Sequence, residues 1–190
     1  MRILYQRDLM AVRHIVHYGG SILREKCKNV FPDEDLSNLI NDMMDSMYEA
    51  EGIGLAANQV GVNKNLFIVD ISHVNENETP RVFINGKIES SQGKSEYSEG
   101  CLSLPGIKFD ITRPENITFS FEDIDRKKKI EEFDGLLARA IQHEVDHLNG
   151  ILIIDRVNEA AKIPYLKNIR DIKNTTIKGS HIKSNPEVFL

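Results

Sequence analysis

Apolar positions recur along this chain in three rhythms, and each predicts a different kind of element. Leu36, Leu39, Ile40, Met43 and Met47 share one face at helical spacing, behind the acidic run Pro32-Asp-Glu-Asp, which suits the positive end of a helix. A helix is therefore expected from 33 to about Ala50, closing before Gly52, with its methionines in the core. Shorter apolar or alternating runs predict strands at Leu66–Ile71, Arg81–Asn85, around Lys87–Tyr97, and at 116–125. The cluster Arg126-Lys-Lys-Lys129 reads as a hairpin tip, with Ile130–Phe133 returning as a strand. Leu136, Leu137, Ala140 and Ile141 restore the helical period over 135–149, and Gly150 stops it. Beyond it, Ile151–Ile154 is expected to pair as a strand, and 158–173 to form a helix broken at Pro164. The polar stretch 174–190 is expected to be a poorly ordered tail, and residues 1–31 an irregular segment packed on the domain.

Composition bounds the class. A chain of 190 residues, 41% hydrophobic and 28% charged, predicts one folded domain spanning 1–190. Its formal net charge of −5 argues against a nucleic-acid binder, which would carry a basic face. No apolar run approaches the roughly 18 residues a membrane span needs. The start, Met1 to Met10, lacks the apolar core of a secretion signal, so the expected compartment is the cytoplasm. There Cys27 and Cys101 stay reduced, which leaves Cys101 free for chemistry.

That chemistry centres on Gln142-His-Glu-Val-Asp-His-Leu-Asn-Gly150. His143 and His147 lie one helical turn apart on a single face, so two imidazoles reach one metal ion without bending the backbone. Glu144 has the place of the group that takes a proton from metal-bound water and later returns it. The alternative is an amphipathic helix that merely contains two histidines. His14, His17, His73 and His181 have no neighbours completing a ligand set, and read as packing or surface groups.

Two further segments stand out. Glu51-Gly-Ile-Gly-Leu-Ala-Ala-Asn-Gln-Val-Gly61 is a backbone that something approaches closely, yet it lies after a helix and before a strand, the reverse of a dinucleotide fingerprint. Gln59 closes its small-residue run, as a surface glutamine or a functional donor. In Ser98-Glu-Gly-Cys-Leu-Ser-Leu-Pro-Gly106, Cys101 follows a glycine and precedes an exposed-looking turn. A catalytic metal usually keeps three protein ligands and one open position. The metzincin pattern fits as far as Gly150, but Ile153 stands where its third histidine belongs, and no methionine follows Met47. Glu159 comes very soon after the helix. Cys101 is the better third ligand, giving a soft site of one thiolate and two imidazoles.

Taken together, Gly52-Ile-Gly-Leu-Ala-Ala-Asn-Gln59, Glu99-Gly-Cys-Leu-Ser103 and Gln142-His-Glu-Val-Asp-His147 closely resemble, in order, the three motifs of the peptide deformylase family. The wider likeness runs from about His17 to Arg156. It implies hydrolysis of the N-formyl group from the initiator methionine of new polypeptides, with release of formate. It further implies Cys101, His143 and His147 as metal ligands, with one Fe2+ per chain that Zn2+, Ni2+ or Co2+ may replace. Glu144 is then the general base and acid, and the Gln59 side chain and the Leu102 backbone N–H are the oxyanion donors. Gly54 would pair with the substrate backbone and Gly100 would leave room for it. Ile53, Leu136 and Ala140 would line the methionine pocket, and Asp146 would either orient an imidazole or be solvated. The implied partners are nascent N-formylmethionyl chains near the ribosome, with neither nucleic acid nor membrane. The implied fold is α+β, with short antiparallel β-sheets surrounding a central helix that carries the metal motif. The competing readings are a zinc peptidase acting on ordinary peptide bonds, or a purely structural metal site.

Overall fold

A computed structural model describes residues 12–178. Helix α1 (Ser37–Glu49) buries Ile40, Met43 and Met47, as its apolar stripe predicts. It begins later than expected because the acidic run is spent on a turn: the Asp35 carboxylate accepts the Ser37 N–H and Glu34 accepts that of Phe31. Strands follow at β1 (Gly54–Ala56), β2 (Leu66–Val69), β3 (Arg81–Gln92), β4 (Ser95–Glu99), β5 (Phe109–Arg113), β6 (Asn116–Glu122) and β7 (Lys128–Phe133). They form one antiparallel sheet in the order β1-β2-β3-β6-β7 and a separate two-stranded pair, β4-β5. Helix α2 (Gly135–Leu148) packs against β1 and β2, and two shorter helices, α3 (Glu159–Lys162) and α4 (Leu166–Ile177), complete the described chain. The class is α+β, and among the described residues no helix is long and apolar enough to cross a membrane.

The core between the large sheet and α2 is aromatic. Phe67, Phe83, Phe119, Phe121 and Phe133 come from four strands and lie centroid to centroid at 4.8–6.3 Å, against Leu137, Ala138, Ala140 and Ile141 of α2. Gly86 makes this possible, since a Cβ there would sit 2.3 Å from the Phe119 ring. The β3–β6 register shifts across it, between Ile84 and Lys87, and again between Ile88 and Ser90, irregularities that bend the long strand.

Four local expectations need correction. The stretch around Lys87–Tyr97 is two strands rather than one, divided at Gly93, where φ is +75°. Strand β5 went unrecognised because its inward positions are Phe109, Ile111 and Arg113, and the arginine hides the apolar alternation. Ile151–Ile154 is not a strand. The chain leaves Gly150 at φ +74° and winds into a 3-10 turn at Ile153–Asp155, and Leu152, Ile153 and Ile154 are all buried beside Leu104, Ile107 and Phe109. Its run of apolar residues reflects burial on all sides, which periodicity does not distinguish from a buried strand. The tail expected from 174 instead begins as the last turn of α4, which closes at Ile177, while 179–190 lie outside the described residues. The Pro164 break is found as predicted, in a 3-10 turn between α3 and α4.

Candidate active site

The site grows from α2. Asp134 precedes the helix in extended conformation and Gly135 enters it at φ +53°, so the chain turns sharply from β7 into the core. The four-residue spacing then brings the His143 and His147 rings to 5.1 Å. Strand β4 ends at Glu99, and after buried Gly100 the next residue delivers the Cys101 sulfur 3.1 Å from His147 Nε2. One ligand atom each from Cys101, His143 and His147 lies within 4.8 Å of the others. Donors around a tetrahedral ion bound at about 2.0–2.3 Å stand about 3.5 Å apart, so the set fits a divalent transition metal. The turn after Cys101 is buried rather than exposed, with Leu102, Ser103 and Leu104 all inside. Cys27 offers a contrast. Burial, aided by Glu25, pushes its thiol up to about 11, which leaves it inert.

His143 Nδ1 lies 3.1 Å from the Glu99 carboxylate, an arrangement that leaves Nε2 free on the Cys101 side. Glu99 is itself gripped by Arg113 through two bonds of 2.7 and 2.9 Å and by Arg139 at 2.6 Å. Burial alone would raise its carboxyl, but the hydrogen bonds from His143 and Arg113 hold it well below the usual range. Asp146 neither orients an imidazole nor is solvated. It is buried and takes Arg113 at 2.8 Å and Arg156 at 2.9 Å. The imidazoles are pushed apart in basicity. For His143, burial opposes the charge, but the Cys101 and Glu99 contacts outweigh it and raise the group. For His147, burial and the neighbouring His143 both lower it.

Glu144, next to His143 on α2, lines the same cleft. Its Oε2 is buried without a hydrogen bond, and burial lifts the carboxyl to about 7 against the pull of His143 and Arg113. Gly54 makes its room: a Cβ there would sit 2.5 Å from Glu144 Oε1. Gln59 stands in the 3-10 turn Ala57–Val60 that follows β1. Its Oε1 accepts the Ala56 N–H at 2.9 Å, while Nε2 donates to Ser103 Oγ at 3.2 Å and points at the Cys101 sulfur, 3.9 Å away. The neighbouring Asn58 donates to the His147 carbonyl at 2.6 Å, tying this turn to the metal helix.

One cleft gathers Ile53, Gly54, Gln59, Cys101, Leu102, Ala140, His143 and Glu144, with Glu99 and Arg139 in its wall. His147 lies behind Cys101. Leu136 lines a different hollow, with Ile71, Val74 and Phe133, and Gly100 is buried beside the cysteine. Sequence reasoning missed Glu99, Arg113, Arg139 and Ser103 as supports. Arg139 carried a signal, an arginine inside the apolar lead Gly135-Leu-Leu-Ala-Arg-Ala-Ile141.

A cysteine sulfur and two imidazoles aimed at one point, with a buried carboxyl raised to about 7 beside them, equip a hydrolase. Comparison with known proteins agrees. The family model for polypeptide deformylase matches residues 12–162. A peptide deformylase of Clostridium botulinum is 48% identical over 151 residues, covering 79% of this chain and 99% of that one. One of Picosynechococcus is 44% identical over 156 residues, covering 80% and 83%. The crystal structure of a peptide deformylase from Legionella pneumophila superposes with a TM-score of 0.79 at 38% identity, covering 88% of this chain and 99% of that one. The chain belongs to the polypeptide deformylase family.

Proposed function

We propose that this hydrolase removes the formyl group from the N-terminal methionine of nascent polypeptides in the cytoplasm, near the ribosome, and releases formate. The observation that carries the reading is the meeting, in one cleft, of the edge of β1, the Glu144 carboxyl, Cys101 and His143, with His147 completing the ligand group from behind Cys101. Those three residues would hold the metal. Thiolate with imidazoles suits Fe2+, and Zn2+, Ni2+ or Co2+ would bind as well. A bound ion supplies Lewis acidity and lowers the pKa of a water it holds from about 15.7 toward 7.

The chain's own groups do the rest. β1 is the outer strand of its sheet, so a peptide would lie along Gly54 as an added strand, with its methionine side chain toward Ile53 and Ala140. Glu144, poised near 7, takes a proton from the attacking water and passes it to the methionine nitrogen as the formyl C–N bond breaks. Gln59 Nε2 and the Leu102 N–H face the oxygen of the formyl group as it gains charge. Glu99 keeps His143 in the tautomer that turns Nε2 to the metal.

The test is formate release from formyl-Met-Ala-Ser by protein prepared anaerobically with Fe2+, beside Cys101→Ser. Turnover in the parent with a large loss in the variant is expected. Metal-loaded protein that leaves the formyl peptide intact would overturn the reading.

A further inference from the structure

We propose that Ser103 is a positioning residue that sets the orientation of the Gln59 amide and so decides whether it can serve the developing oxyanion. The inference rests on the oxyanion role given to Gln59 above. A glutamine amide has two ends, and only the nitrogen end donates. At Gln59 the choice is made from both sides. The Ala56 N–H, 2.9 Å away, accepts nothing and needs an oxygen, so it selects Oε1. Ser103 Oγ, at 3.2 Å from Nε2, accepts one of the two amide hydrogens. The other is left aimed at the metal side of the cleft, where its nearest partner is the Cys101 sulfur at a long 3.9 Å. Such a contact is too long to hold the amide by itself. Gln59 and Ser103 are almost wholly buried, at 1% and 0% exposure, so water does not substitute readily for the hydroxyl.

The backbone supports the same arrangement. A single short segment ties both residues down, since the Val16 N–H donates to the Gln59 carbonyl at 2.7 Å and the Tyr18 N–H to the Ser103 carbonyl at 2.8 Å. The two main chains are thus held at a fixed separation, and the hydroxyl sets the remaining side-chain torsion. Without it the amide would swing or tilt, and its free hydrogen would leave the line to the substrate oxygen. Only the transition state would feel that loss, so kcat should fall while KM stays close to the parent's.

The experiment is a double-mutant cycle on metal-loaded enzyme, comparing the parent, Ser103→Ala, Gln59→Ala and the double variant, with metal content and melting temperature measured for each. Ser103→Ala is expected to lower kcat about tenfold with KM and metal content unchanged, and to cause no further loss in the Gln59→Ala background. Equal losses in both backgrounds would overturn the proposal while leaving the role of Gln59 intact. Parental activity in Gln59→Ala would overturn the oxyanion reading itself, and the proposal with it. Should Ser103→Ala melt far below the parent, Ser103→Thr, which retains a hydroxyl, gives the answer: kcat within about threefold of the parent supports the proposal, and a loss as large as that of Gln59→Ala with metal bound overturns it.

Discussion

The Glu99 carboxylate and His143 Nδ1 meet at 3.1 Å, and through that contact a buried charge network reaches the proposed metal ligands. Glu99 is 1% exposed and faces Arg113, 4% exposed, and Arg139, 5% exposed. Removing its charge leaves two buried guanidiniums without their shared anion, a change that typically costs about 3–5 kcal/mol. It also weakens the hold on the imidazole. Glu99→Gln is expected to melt well below the parent and to lose about 10- to 100-fold in metal affinity, measured by competition with a chromogenic chelator. Unchanged affinity in a folded variant would show that His143 needs no such support.

Glu144 follows His143 on α2 and lies under conditions opposite to those of Glu99. Its carboxyl is buried, raised to about 7 and without a partner at Oε2, so the fold gains little from it. Glu144→Ala should therefore lose about 10²–10⁴-fold in turnover while keeping its metal, and melt no lower than the parent. A variant that lost metal in parallel with activity would give the residue a structural role instead.

The contrast between these two glutamates explains what could be read from the chain. His143, Glu144 and His147 are neighbours along one helix, so helical geometry translates their sequence spacing directly into space. The α1 stripe and the Pro164 break are local in the same way, and so is the hairpin, although its tip lies at Asp123–Lys127 rather than Arg126–Lys129, since Lys128 and Lys129 already belong to β7. Glu99 reaches His143 across 44 residues and Arg113 reaches Asp146 across 33. Those separations depend on how β4 pairs with β5 and where the pair docks on α2, which no local period encodes. Arg113 on an inward strand position looks like a break in the pattern until its two carboxylates are in view. The motif carrying Cys101 was legible through family resemblance, whereas the burial of its turn follows from packing on Leu152 and Ile154, a segment whose own apolar run reads equally well as a strand.

Gly54 offers a test of how tightly the cleft is built. An added Cβ would lie 2.5 Å from Glu144 Oε1 and 3.1 Å from its carboxyl carbon, so the carboxylate must retreat by about an ångström for Gly54→Ala to fit. Displacements of that size at a reacting group cost about 10²-fold. The variant is expected to fold, keep its metal and lose about 100-fold in kcat/KM for formyl-Met-Ala-Ser. Near-parental activity would mean that Glu144 works from a position other than the one it occupies here.

The end of the metal helix is secured by a pair whose strength depends on pH. Arg24 forms an ion pair with Asp155 and donates to the Gly150 carbonyl at 3.2 Å, while Asp155 also accepts the Leu152 N–H at 2.8 Å. Burial would raise the Asp155 carboxyl, but Arg24 and the Leu152 N–H lower it below its ordinary 3.8. A carboxyl depressed in the folded state contributes stability above its unfolded value and loses it as pH falls from 3.8 toward the lower folded value. Stability of the parent should therefore decline on acidification below about pH 4, and Asp155→Asn should remove part of that decline. Both side chains are partly exposed, at 40% and 39%, so added salt should shrink the difference. Urea midpoints of parent and variant from pH 3 to 6, at low and high salt, give the check. Parallel curves would show that Asp155 is ionised no more readily in the folded protein than in the unfolded chain.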